Sequence, residues 1–384
     1  MLEAKDVIRF QPKVRNEMRP PSRVLALALL GFGIPCAFAQ IKGGEDQTSD
    51  YEVVPNWPQP WSQKGYIWGS NAAVFAQTPD RVFLAVRGEL RLPDTLPRTF
   101  QGFWGSLGER ATVPKAEARN CIVVVDANGK VIESWTQWDH LFSGQPLGPH
   151  AIKISPYDPE KHVWVVDETE HQIFEFTNDG KELVMALGEK GVPGNDQKHF
   201  GRPQDIAWLP NGDILVADGL INSRVVKLDK SGKFLMEWGT KGNGPGQFSG
   251  PHGIATDRNR RVYVADRSNH RIQIFDENGK YIDQWGDLLQ ANTIFITADQ
   301  QVWVADGTNA RLLKFNMDGK LLYWWGTYGP RPGAFWEPHS ISVDSDGNLY
   351  IADSFLGRTQ KFRPKAGADK TKLVGAPMAA SGGR

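Results

Sequence analysis

The sequence predicts an all-β fold, a six-bladed β-propeller, on three observations. The first is a repeat. A short alternating apolar stretch ending in aspartate recurs as VWVVD, ILVAD, VYVAD, VWVAD and LYIAD, closing at Asp167, Asp218, Asp266, Asp306 and Asp353. These aspartates lie 51, 48, 40 and 47 residues apart, the period of a four-stranded blade. The second is the pattern within one unit, residues 251–286. Val262 and Val264, Ile272 and Ile274, then Tyr281 and Ile282 near Trp285 mark strands of period two, separated by turns at residues 257–260, Ser268-Asn269 and Asn278-Gly279. With residues 253–256 the unit has four strands. The third is composition: 40 Gly, 25 Pro and 14 Trp in 384 residues suit a large, turn-rich β domain with ample core.

Along the chain, residues 1–17 show no periodic pattern. Residues 18–39, MRPPSRVLALALLGFGIPCAFA, have the layout of a signal peptide: Arg19 and Arg23, an apolar run at 24–32 too short to span a bilayer, and Ala37-Phe38-Ala39 before the cleavage point. Residues 1–39 are therefore expected to be a signal peptide region with Met18 as the start. The product is expected to be exported, secreted or periplasmic, with no stable membrane insertion after cleavage. Pro35 before Cys36 fits a lipidation site poorly, and Cys121 alone forms no internal disulfide. Residues 40–50 read as a flexible linker. The propeller is expected over 51–364, where YEVVPNWP from Tyr51 is a strand without local partners that pairs into the last blade and closes the ring. Blade one begins near Asn71 and is interrupted by an insertion at 91–118, long enough to suggest a functional loop. Blades two, three, four and six begin at Pro149, Pro203, Pro251 and Pro338, and blade five near Ala291. Residues 365–384, rich in Lys, Gly and Ala, read as a disordered tail. A formal net charge of zero gives no nucleic-acid footprint.

Chemistry emerges when equivalent positions are compared between blades. The second residue of each blade start is His150, His252 and His339 in blades two, four and six, and Ala72, Gln204 and Asn292 in blades one, three and five. Alternate blades of a six-bladed ring are about a third of a turn apart, so three imidazoles at the innermost strand would meet on the axis. That is a His₃ set with open positions, as in catalytic zinc sites; polar packing along the channel is the alternative. The residue after each aspartate-terminated strand is Arg87 in blade one and Arg267 in blade four, across the ring from each other. They suit an anion beside a metal, or pair with loop acids such as Glu89. Asn-x-Arg at 222–224, 269–271 and 309–311 reads as a structural tie.

The blades are similar to NHL repeats, and the span from Tyr51 to about Phe362 resembles the peptidyl-α-hydroxyglycine α-amidating lyase family. The stretches carrying the resemblance include VFLAVRG, LGPHAIKI, GNDQKHFGRPQDIA, GQFSGPHGIA, VADRSNHRIQIF and EPHSISVDSDGNLYIAD. It implies a six-bladed propeller, zinc on His150, His252 and His339, a catalytic arginine at Arg87 and a second active-site arginine at Arg267. It also implies calcium on the backbone carbonyls of Val74 and Ile152. Three positions depart from the family: Leu220 stands where a tyrosine serves, Ser340 replaces the carboxylate for calcium, and Glu337 replaces a methionine before Pro338-His339. Glu337 is a ligand, a base or a solvent-facing residue, the last being favoured.

Three readings follow. The first is a zinc-dependent lyase that cleaves the C–N bond of an α-hydroxy-amide to give amide and glyoxylate, with a substrate altered at Leu220. The second is a noncatalytic NHL propeller that binds another protein or a glycan on its rim. The third is a metal-dependent lactonase or esterase. The expected partner is a small molecule or peptide, not nucleic acid.

Overall fold

The computed structural model describes residues 48–100, 102–107, 116–144 and 148–378. The expected signal region and the first part of the linker lie outside the described residues, which contain no helix long and apolar enough to cross a membrane. Within them the chain forms six four-stranded antiparallel sheets, which are the six blades of a propeller. Their first strands are Asn71–Thr78, Pro149–Ile154, Pro203–Trp208, Pro251–Thr256, Ala291–Ile296 and Pro338–Val343, and successive first strands lie against one another around the ring.

Burial follows the alternation in the sequence. The second strands of blades two to six, such as Val163–Asp167 and Val262–Asp266, are buried at every position, whereas an outermost strand such as Leu183–Leu187 alternates half-buried and exposed. Neighbouring blades lock where the tryptophan ending an outer strand covers the glycine of the next blade's turn. Gly279 takes φ +78°, and a Cβ there would lie 2.7 Å from Cδ2 of Trp238, so the turn conformation and the close approach both require glycine. The aspartates that mark the repeat are hubs at the strand ends. Asp266, fully buried, accepts from the Ser249 N–H, Asn269 Nδ2 and Arg271 Nε at 2.7–2.8 Å. Asp218 binds Asn222 and Arg224 in the same way, so Asn-x-Arg is a tie within the blade.

The sixth sheet takes its outermost strand from the other end of the domain: Tyr51–Val53 pairs antiparallel with Arg358–Pro364, Tyr51 opposite Pro364 and Val53 opposite Phe362. Two expectations are corrected nearby. The linker to residue 50 is packed at its end: Ser49 is buried, its hydroxyl 2.7 Å from that of Tyr323, and the Asp50 carbonyl accepts from the Lys365 N–H. The tail is ordered over residues 365–378. Val374 is buried and its N–H donates 2.9 Å to the Tyr51 hydroxyl, while Pro377 pairs with Thr297 of blade five. A Lys-, Gly- and Ala-rich composition conceals two apolar anchors, Leu373 and Val374, that join the blade-six core. The described part of the insertion reaches the last blade, where the Gly105 N–H donates to the Leu356 carbonyl at 3.1 Å.

Candidate metal centre

One backbone device aims the axial side chains. In every blade the register between first and second strands slips at the same place: between Asn71 and Ala73, Pro149 and Ala151, Pro203 and Asp205, Pro251 and Ile254, Ala291 and Thr293, and Pro338 and Ser340. Each slip is a β-bulge, and the residue within it is the one predicted to face the axis. A bulge re-aims a side chain that regular pairing would send between the blades, and proline beside it costs no ladder hydrogen bond.

The structure brings His150, His252 and His339 together. Their ring centroids are 4.7, 4.7 and 5.0 Å apart, and one nitrogen from each lies within 4.8 Å of the other two. The opposite nitrogens are anchored. Nδ1 of His150, His252 and His339 is 2.7, 2.6 and 2.7 Å from the carbonyls of Gln204, Asn292 and Ala72. A carbonyl only accepts, so each Nδ1 carries the proton and each Nε2 presents a lone pair. The anchoring carbonyls belong to the bulged residues of blades three, five and one, so ligand and anchor alternate around the ring. Burial strips water from all three rings and disfavours their charged forms: His150 is pushed down to about 4, and His252 and His339 well below the usual histidine value. Arg267 depresses all three further. Nε2 of His252 is buried without a hydrogen-bond partner. Neutral rings, fixed tautomers and a buried orphan nitrogen fit a metal ion and poorly fit polar packing.

Around this set lies a charged network. Arg87 donates 2.5 Å to one oxygen of Glu168; the other accepts from Arg202 at 2.9 Å and from Gln204 at 3.1 Å. Burial alone would raise the Glu168 carboxyl, but Arg87, then His150 and Arg202, hold it well below the usual carboxylate range. Arg87 thus pairs with an acid, the alternative weighed from the sequence, but the acid is Glu168; Glu89 accepts 2.7 Å from Asn120. Arg267 makes no side-chain hydrogen bond or ion pair among the described residues. Burial lowers its pKa, opposed by Glu337 and Glu168. Glu337 does not face solvent: it is 5% exposed, its oxygens accepting from Ser354 Oγ at 2.6 Å and Gln290 Nε2 at 3.1 Å. Leu220 is partly exposed and chemically inert.

Sequence comparison overlooked Glu168, Arg202 and Gln204 as a unit. The signal was present, because Glu168 occupies the blade position of Arg87 with opposite charge. Outside the axis, Asp158, His162 and Glu175 are close enough to share an ion. His162, however, already hydrogen-bonds Asp158 through both its backbone N–H and Nδ1. The calcium position implied at Val74 and Ile152 does not fit such an ion: the Val74 carbonyl faces the Ser340 hydroxyl at 3.4 Å, and no carboxylate follows His339.

A six-bladed ring with three convergent imidazoles on its axis defines the class, a β-propeller with a candidate metal centre. The NHL repeat pattern matches residues 248–275 and 335–355. Peptidyl-glycine α-amidating monooxygenase B of Xenopus laevis is 31% identical over 259 residues, 63% of this chain and 29% of that protein. A probable peptidyl-α-hydroxyglycine α-amidating lyase of Caenorhabditis elegans is 37% identical over 157 residues, 40% of this chain and 42% of that protein. The chain spans less than half the length of these curated relatives. A solved structure of a Bacteroides thetaiotaomicron protein of unknown function shares the fold with TM-score 0.51 and 11% identity, covering 84% of this chain and 74% of that one. The chain is thus an NHL-repeat propeller that resembles the α-amidating lyases.

Proposed function

We propose that this protein is an exported, zinc-dependent carbon–nitrogen lyase acting on a small or peptidyl α-hydroxy-amide, with release of the amide and glyoxylate. The observation that carries the reading is the set of three Nε2 atoms turned to one point and locked there by three backbone carbonyls. His150, His252 and His339 would hold the ion. Bound there, zinc supplies Lewis acidity that makes the substrate hydroxyl easier to deprotonate. Arg267, whose guanidinium has no hydrogen-bond or ion-pair partner among the described residues, binds the substrate carboxylate. Arg87, steadied by Glu168, faces the oxygen where charge develops. With Leu220 in place of a phenol, we assign proton acceptance to Glu337. The hydroxyl proton passes to that carboxylate, the oxygen's electron pair forms the new carbonyl, the C–N bond breaks, and the proton is returned to the departing amide nitrogen. Atoms and charge balance without a co-reactant.

The test pairs metal content with turnover. Elemental mass spectrometry of the mature protein is expected to give one zinc per chain, lost in His252→Ala, and the wild type is expected to release glyoxylate from α-hydroxyglycine peptides. A protein that takes up no metal when zinc is supplied would sink the reading and leave a binding propeller. Leu220 supports a second reading, a lactonase or esterase using the same axial metal. Zinc bound without glyoxylate release, but with hydrolysis in a lactone and ester screen, would select it.

A further inference from the structure

Beneath the histidines the axis carries a second polar cluster with a different occupant. Lys153, three residues after His150, sends its ammonium to Oδ1 and Oδ2 of Asp205 at 2.6 and 2.7 Å, and to the carbonyls of Ile206 and Ile254 at 3.0 and 3.4 Å. Asp205 is held from its other side, with Oδ1 accepting from the Ile206 N–H at 2.9 Å and Oδ2 from the Ile254 N–H at 3.0 Å. A void of about 20 Å³ separates the clusters, bounded by the three histidines together with Lys153, Asp205 and Ser340. Below, the lysine stem lies against an apolar funnel of about 410 Å³ lined by Ile154, Ile206, Ile254 and Met378 among others. The stem packs on hydrocarbon while the charged head reaches the carboxylate.

The oxygens gathered here are those a hard divalent ion would want, a carboxylate and backbone carbonyls. Calcium takes six to eight of them. An ammonium has three donors, and the three groups around Nζ, the Asp205 carboxylate and two carbonyls, match that number. Asp205 follows Gln204 in blade three as Ser340 follows His339 in blade six. The axial carboxylate is therefore contributed by a different blade, with its counter-charge carried on the first strand of the preceding blade. Meanwhile the Ser340 hydroxyl is turned back onto the Val74 backbone at 3.3–3.4 Å.

We propose that the Lys153 ammonium is the resident cation of the lower axial channel, occupying the role of a divalent ion and tying blades two, three and four together without calcium. The tie is independent of whatever metal the histidines hold.

The test measures calcium content and stability, with zinc held constant throughout. Wild-type protein equilibrated with calcium and then desalted is expected to retain no stoichiometric calcium, and its melting temperature is expected not to move when calcium is added. Lys153→Met leaves the Asp205 carboxylate buried and uncompensated, and is expected to lower the melting temperature by on the order of 5 °C. Asp205→Asn added to Lys153→Met is expected to recover part of that loss, because the orphaned charge is gone. One calcium retained per wild-type chain, or a melting temperature raised by calcium, would overturn the proposal even if Lys153→Met failed to fold. An unchanged melting temperature in Lys153→Met would overturn it equally.

Discussion

Lowering the pH of the metal-free protein from 7 to 4.5 tests whether the axial imidazoles are as dry as their burial implies. His150 titrates near 4 in the fold and near 6.5 in an unfolded chain. As pH falls, the unfolded chain takes up the proton first. The stability tied to keeping this ring neutral is therefore full above about 6.5 and lost progressively toward 4. Between pH 7 and 4.5 the loss from His150 alone comes to about 2 kcal/mol, and His252 and His339 act in the same direction. Asp167, whose carboxyl burial raises to about 7, acts in the opposite direction over the same window. The measurement must therefore be a difference. Urea unfolding of wild type and His150→Gln, both stripped by chelator, is compared at the two pH values. The stability difference between them is expected to shift by about 2 kcal/mol in disfavour of wild type as pH falls. A difference independent of pH would mean that His150 is hydrated and free to charge, and the reasoning from burial to a neutral metal-ligating ring would fail.

Three more outcomes are expected. Gly253→Ala would place a Cβ 2.8 Å from the Asn292 carbonyl that orients His252, so zinc affinity measured by competition with a chelator should fall by about tenfold or more while the fold survives. Arg267→Gln should leave metal content unchanged yet cut turnover of an anionic substrate by about a hundredfold; a variant that lost zinc instead would place Arg267 in the scaffold. Tyr51→Phe removes the acceptor for the Val374 N–H and should cost about 1–3 kcal/mol in denaturant unfolding, whereas an ordinary exposed tyrosine would cost almost nothing.

The repeat was legible because its aspartates, apolar alternation and turn glycines each serve a local need in every blade, and local needs leave periodic marks. Comparing blade positions also singled out the three histidines, since the axis converts equivalence in sequence into proximity in space. The charge pairings were legible only in part: Glu168 shares the blade position of Arg87 with opposite charge, but its contacts do not show in the sequence. Glu168 and Glu337 each follow or precede a strand, where a carboxylate usually meets water, and only the ring's curvature folds them under arginines or between Ser354 and Gln290. Lys153 reads as a polar residue on an alternating strand, and nothing local reveals that its neighbours across the channel are Asp205 and two carbonyls. Val374 was hidden in a tail whose composition is set by its glycines and lysines rather than by the residue that docks.

The alternation of ligand and anchor around the axis makes parity a property of the site. Each imidazole is aimed by a blade that carries no imidazole, and blade one, anchoring His339 through Ala72, can do so only once the last blade has returned beside the first. A ring with an odd number of blades would set two ligand blades or two anchor blades side by side. Gain or loss of a single blade would therefore abolish this geometry, whereas changes in pairs would preserve the order at the cost of threefold spacing. Blade number here is a coordination constraint as much as an architectural one.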